Sequence, residues 1–196
     1  MKGVFVIGDE NATGIGDNQG WRSDIERLVE TELYNVVYDL SVPGETSTSL
    51  KKHVEKEVER RLHDGGYLAI LSIGRNDAKS VVKDEEPQVG LEQFEKNLRE
   101  ILQILDSLVD KIVVVSIPPV INELVNPHEP SETYHSSERV KRYNEVLENV
   151  SPKFIHPFKD VKRYEQYLID GVHLNTNGFN LYSDELKRIV LRFIED

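Results

Sequence analysis

The chain has 196 residues, 38% hydrophobic and 30% charged, with no cysteine. At about 150 residues per domain it is expected to form one domain over residues 1–196, and the missing thiol excludes disulfides, zinc-thiolate sites, iron–sulfur clusters and a cysteine nucleophile. A net charge of −11 repels phosphate backbones and argues against nucleic acid as a partner.

Residues 3–8 (GVFVIG) read as a buried first strand, β-branched and aromatic and stopped by glycine. The segment has no small-residue cleavage site behind it, so it is not read as a signal peptide, and a cytoplasmic location is expected. A helix is predicted over 21–33 and a strand over 35–40. A second helix is predicted over 46–63, with Thr46 and Ser49 in its first turn and Gly65-Gly66 closing it. Strands follow at 67–73 and 111–116, separated by a helix over 91–109 whose apolar residues recur at helical spacing. A helix over 137–149, a short strand over 153–156 and a last helix over 176–194 complete the pattern. Irregular chain over 117–136, with Pro118, Pro119, Pro127 and Pro130, forms the one long loop. The apolar runs fall far short of the roughly 20 residues that span a bilayer, so no membrane partner is expected.

Five apolar strands alternating with helices imply a three-layer α/β/α sandwich on a flavodoxin-like, five-stranded parallel sheet. Ligands of such sheets bind beyond the carboxyl ends of the strands. Four polar, glycine-containing turns fall there or before the last helix. They are Gly8-Asp9-Glu10 with Gly14, Val42-Pro43-Gly44, Gly74-Arg75-Asn76-Asp77, and Asp170-Gly171-Val172-His173.

These turns, with Trp21 in the first long helix, resemble in order the SGNH hydrolase superfamily, also called the GDSL-like lipases and acylhydrolases. The resemblance runs nearly the length of the chain. It implies that Gly44 and Asn76 supply an oxyanion hole, the first through its backbone N–H and the second through its side-chain amide. It implies further that His173 is the general base and that Asp170, three residues earlier, orients it. Asp9, Gly74 and Asp77 fall in supporting positions, and the family chemistry calls for no metal and no cofactor. The departure is at the nucleophile: where that family carries serine after Gly-Asp, this chain carries Glu10. The flanking Gly8-Asp9 and Gly14 keep the register, and Thr13 is the nearest hydroxyl.

A serine nucleophile passes its proton to histidine as it attacks an acyl carbon. A carboxylate has no such proton, and its attack on an ester would give a high-energy mixed anhydride. Carboxylates suit alkyl or glycosyl centres, where the product is an ester. Loss of a triad serine leaves about 10³–10⁴-fold catalysis over water, so ordinary serine esterase activity is expected to be lost or strongly altered. Glu10 is expected to place its carboxylate in or near the hole, to contact His173 directly or through one water, and to favour the imidazolium form.

Plainer readings exist for each group. Glu10 could be a solvated loop residue. Asp170 and His173 could cap the last helix. Asn76 and Asp77 could only tie loops together. His53, His63, His128, His135 and His156 read as surface or loop residues, although Tyr134 and His135 could line a pocket. Asp9, Glu10, Asp77 and Asp170 could suggest Mg²⁺ or Ca²⁺, but the family site needs neither. The run from Gly14 to Gly20 is one residue out from a dinucleotide fingerprint and carries Asp17 where phosphate would sit, which argues against nucleotide. Two functions therefore compete. One is an acyl-ester hydrolase relative with a modified mechanism, in which Glu10 or His173 activates water. The other is a non-catalytic pseudoenzyme that binds a ligand or a partner. A small acyl ester or a carboxylate-like molecule is the expected ligand class.

Overall fold

A computed structural model describes residues 1–15, 18–82, 85–122 and 134–196. Residues 16–17 of the glycine-rich run, and 123–133 of the long loop with His128, lie outside the described residues.

The apolar runs form strands β1 (Gly3–Gly8), β2 (Val36–Ser41), β3 (Tyr67–Ser72), β4 (Lys111–Val115) and β5 (Phe154–Ile155). They pair all-parallel in the order β2-β1-β3-β4-β5. Every residue of β1 and β3 is buried, as the interior strands of a sheet covered on both faces require. The alternation of side chains divides them between two layers. Phe5, Ile7, Ala69, Leu71 and Val114 face one core; Val4, Val6, Leu68, Ile70, Val113 and Val115 face the other.

Helices α1 (Glu10–Thr13), α2 (Trp21–Glu26), α3 (Ser47–Leu50), α4 (Val54–Glu59), α5 (Arg75–Ala78), α6 (Leu91–Asp106), α7 (Ser137–Val150) and α8 (Thr176–Glu195) complete the described helical elements with two short turns. Residues of α4, α6 and α7 pack in the first core, and residues of α2 and α8 in the second. Each fully buried Leu, Phe or Val side chain contributes about 1.5–3 kcal/mol. Among the described residues no helix is long and apolar enough to cross a membrane.

Three expectations need correction. The helix expected over 21–33 is α-helical only to Glu26 and continues as a π-helical turn, Arg27–Glu32. The helix expected over 46–63 breaks between α3 and α4 at His53, whose φ is −132°. His53 turns its Nε2 to Glu45 Oε2 at 3.1 Å, while Leu50, Val54 and Val58 stay buried along one stripe. An unbroken stripe thus concealed a broken backbone. The glycines at 65 and 66 cap nothing, because α4 ends at Glu59. The short elements at the strand ends, α1, α5, the two-residue strands Gly14–Ile15 and Asn18–Gln19 and the 3₁₀ turn Glu165–Tyr167, carry too few residues to show a period.

Candidate active site

The site is built on the turns that leave the carboxyl ends of the sheet. β1 ends at Gly8, with φ +135°, where a Cβ would lie 1.6 Å from the Ser72 carbonyl oxygen. Glycine therefore lets β1 and β3 run side by side up to the turn, and Asp9 N then donates to Ser72 O at 2.9 Å. Asp9 caps α1 by accepting from Asn11 N at 3.1 Å. Glu10 is the first residue of α1, not a loop residue, and its side chain is only 15% exposed.

The Glu10 carboxylate is held asymmetrically. Its Oε2 accepts from Gly44 N at 2.9 Å and from Asn76 Nδ2 at 2.9 Å. Its Oε1 lies 3.8 Å from Nε of Arg75, which is buried to 5% exposure. Burial disfavours the Glu10 charge, but Arg75 and the two N–H donors outweigh it and hold its pKa below the usual value. The solvated-loop reading of Glu10 does not fit this geometry.

Each donor has its own support. Gly44, with φ +82°, sits just before α3. Asp77 accepts from Ser47 N at 2.9 and 3.0 Å and from the Ser47 hydroxyl, while Asn97 Nδ2 donates to Ser47 Oγ at 3.0 Å. Asp77 thereby ties the start of α3, and the Gly44 turn before it, to α5. Its burial outweighs the Ser47 bonds and raises its pKa to about 6. Lys79 Nζ donates to Asn76 Oδ1 at 2.6 Å, which leaves the amide nitrogen facing Glu10.

His173 and Asp170 form a second unit. His173 Nδ1 lies 2.6 Å from Asp170 Oδ2, and Asp170 Oδ1 accepts from the backbone N of Val172 at 3.0 Å and of His173 at 2.8 Å. Capping does not explain the pair, because Asn175 caps α8 by accepting from Gly178 N at 3.1 Å. With Nδ1 engaged, Nε2 is the ring nitrogen left for chemistry. The expected direct contact with Glu10 is absent: no hydrogen bond or ion pair joins the two described residues. The expected imidazolium is not favoured either. Burial, then Arg75, lowers the His173 pKa against the pull of Asp170 and Glu10.

The four acidic groups do not converge on one point. Asp77 faces Ser47 and Asp170 faces His173, while Asp9 is buried against Asn11 and Ser72. Burial, then the Glu10 charge, raises the Asp9 pKa to about 8, so it is protonated at neutral pH. The Thr13 hydroxyl turns back to the Glu10 carbonyl at 3.5 Å.

Two residues at the site, Arg75 and Lys79, were not assigned a role from sequence, and His135 was given only a pocket-lining one. Arg75 sits between Gly74 and Asn76, and the need of a buried Glu10 anion for a counter-charge was the signal for it. His135 reaches the site because Tyr134 and Ser80 exchange backbone hydrogen bonds at 2.8 and 3.0 Å. Burial, then Arg75 and Lys79, lowers its pKa to about 3. His135 and His156 lie in loop segments, as expected, and both are partly buried.

The fold is shared with solved enzymes. An acetylxylan esterase from Geobacillus stearothermophilus superposes with a TM-score of 0.67 at 20% identity, covering 96% of this chain and 93% of that one. A GDSL-like lipase from Bacteroides thetaiotaomicron gives 0.68 at 16% identity, covering 97% and 88%. Among curated proteins, the isoamyl acetate-hydrolyzing esterase of Saccharomyces cerevisiae is 22% identical over 140 residues, 64% of this chain and 57% of that protein. The mouse centrosomal protein of 290 kDa is 25% identical over 167 residues, 74% of this chain and only 7% of that protein. The chain therefore spans less than two-thirds of either curated relative. Residues 6–181 match the GDSL-like Lipase/Acylhydrolase family, and the chain belongs to it.

Proposed function

We propose that this chain keeps an acyl-transfer pocket of its family in which Glu10 stands at the nucleophile position and fills the oxyanion hole with its own carboxylate. Ordinary serine-type ester hydrolysis is then lost or nearly so. The observation that carries the reading is the 2.9 Å approach of Glu10 Oε2 to both Gly44 N and Asn76 Nδ2. Those donors are the groups that would stabilise a tetrahedral oxyanion. Removing a single such donor costs about 10²–10³ in kcat, and here both are engaged in the resting protein. His173 and Asp170 keep the geometry of a base and its orienting acid.

The related esterases act on acetyl esters, so p-nitrophenyl acetate is the appropriate probe. The wild type should turn it over at the background rate. Glu10→Ser should gain activity, and that gain should vanish in the Glu10→Ser, His173→Ala double variant. Wild-type turnover that disappears in Glu10→Gln would instead assign Glu10 as a base for water and overturn the reading.

The non-catalytic alternative draws on the same occupation, with Arg75 buried in the pocket. A pocket that binds its own carboxylate is complementary to a small external one. Glu10→Ala should therefore bind acetate by calorimetry where the wild type does not. Acetate binding with no esterase gain in Glu10→Ser would favour a binding module.

A further inference from the structure

The two oxygens of Glu10 are not equivalent, and the difference has chemical content. Oε2 takes both N–H donors of the hole. Oε1 takes neither of those donors, and Arg75 Nε lies 3.8 Å from it. A carboxylate whose Oε2 holds both donors of the hole is set to attack through Oε1. If Oε1 becomes bonded to carbon, Oε2 becomes the carbonyl oxygen of an ester, already seated between Gly44 N and Asn76 Nδ2. That ester would sit in an oxyanion hole, with the His173–Asp170 pair near enough for the Glu10 charge to act on the imidazole.

We propose that Glu10 is a nucleophile toward alkyl carbon, and that the protein hydrolyses alkyl substrates whose leaving group departs as an anion, such as alkyl halides. This rests on the reading of Glu10 as the residue at the nucleophile position. In the first step an electron pair of Oε1 forms a bond to an sp³ carbon. The carbon–halogen bond breaks and its pair leaves with the halide, giving a Glu10 alkyl ester. In the second step water adds to the Glu10 carboxyl carbon and gives its proton to His173 Nε2, while negative charge develops on Oε2 in the hole. Collapse breaks the bond between the carboxyl carbon and Oε1. The departing alkoxide takes the proton from the imidazolium and leaves as the alcohol, and the new carboxylic acid loses its proton to solvent. The sum is alkyl halide plus water giving alcohol, proton and halide.

The site favours this class over two neighbours. Acyl substrates would give Glu10 a mixed anhydride. Epoxides and glycosides need a proton donor at the leaving oxygen, and the cation beside Oε1 is arginine, which stays protonated. A departing halide needs no proton donor. Arg75 is thus a positioning residue for Glu10.

The test uses the intact protein and n-butyl bromide. Wild type should release bromide over many turnovers. In a single turnover in heavy-oxygen water the butanol should carry ordinary oxygen, and the peptide containing Glu10 should gain one heavy oxygen. His173→Gln, checked for folding by circular dichroism, should slow turnover by about 10²–10⁴-fold, the range of a general base. It should also accumulate a butyl adduct on the Glu10 peptide. Heavy oxygen in the first-turnover alcohol would overturn the proposal, because water would then attack carbon directly. No bromide release and no adduct would overturn it too. In that event, an esterase gain in Glu10→Ser leaves the self-occupied pocket standing, while no esterase gain together with no acetate binding by Glu10→Ala removes both.

Discussion

Glu10 and Asp9 are adjacent carboxyl groups with opposite fates. Glu10 meets Arg75, Gly44 N and the Asn76 amide, and stays charged. Asp9 is fully enclosed, feels the Glu10 charge, and holds its proton up to about pH 8. The second fate has a stability consequence. A folded-state pKa above the ordinary 3.8 means that the native state binds a proton the unfolded chain has already released. The contribution of Asp9 to stability is therefore full below about pH 4 and is lost as pH rises toward about 8. Asp9→Asn keeps the oxygen that caps α1 and removes the titration. The variant's Tm should gain on that of the wild type as pH rises across this window, and a gap that is flat or shrinks would place the Asp9 charge elsewhere.

At the scale of elements, two short helices decide whether the donors meet. α5 is preceded by Gly74, with φ +115°, where a Cβ would meet Phe94 Cζ at 2.9 Å and Ile117 Cδ1 at 3.0 Å. Gly74→Ala should destabilise the fold, and in the Glu10→Ser background it should also abolish the gained esterase activity by shifting Asn76. The second device is the Asp77–Ser47 tie. Asp77→Ala leaves the buried Ser47 N–H unpaired, which costs about 1–3 kcal/mol, readable from urea unfolding. A silent Asp77→Ala would mean that the α3 turn is held by its own cap alone. These devices also mark what sequence could and could not show. The five strands were legible because buried parallel strands are continuous apolar runs. Gly44, Asn76, Asp170 and His173 were singled out by the family resemblance of their turns, and the fold brings Gly44 and Asn76 onto Glu10 and Asp170 onto His173. The break at His53 was hidden by an apolar stripe that continues across it. Arg75 was overlooked because a charge inside a polar turn looks solvated until the fold buries it.

At the scale of the molecule, the parallel sheet brings four turns from distant parts of the chain to one edge. β1 and β3 are adjacent, so Glu10 and Asn76 rise from neighbouring strands, and Gly44 follows β2 on the other side of β1. The core beneath sets how firmly they are held. Phe94 is fully buried, packs on Tyr143 in a tilted pair with ring centroids 4.9 Å apart, and walls the Gly74 turn. Phe94→Ala should cost about 3–5 kcal/mol in denaturant unfolding. A cost below 1 kcal/mol, roughly that of an ordinary surface change, would mean that the core does not depend on this ring. The most direct measurement on the pocket itself is an NMR pH titration that follows the Glu10 carboxyl carbon and the Gly44 amide proton together. The expected result is one shared transition below the ordinary glutamate value of 4.5, with the Gly44 response gone in Glu10→Gln. A Glu10 transition at or above that value, with a silent Gly44 amide, would contradict a carboxylate seated in the hole.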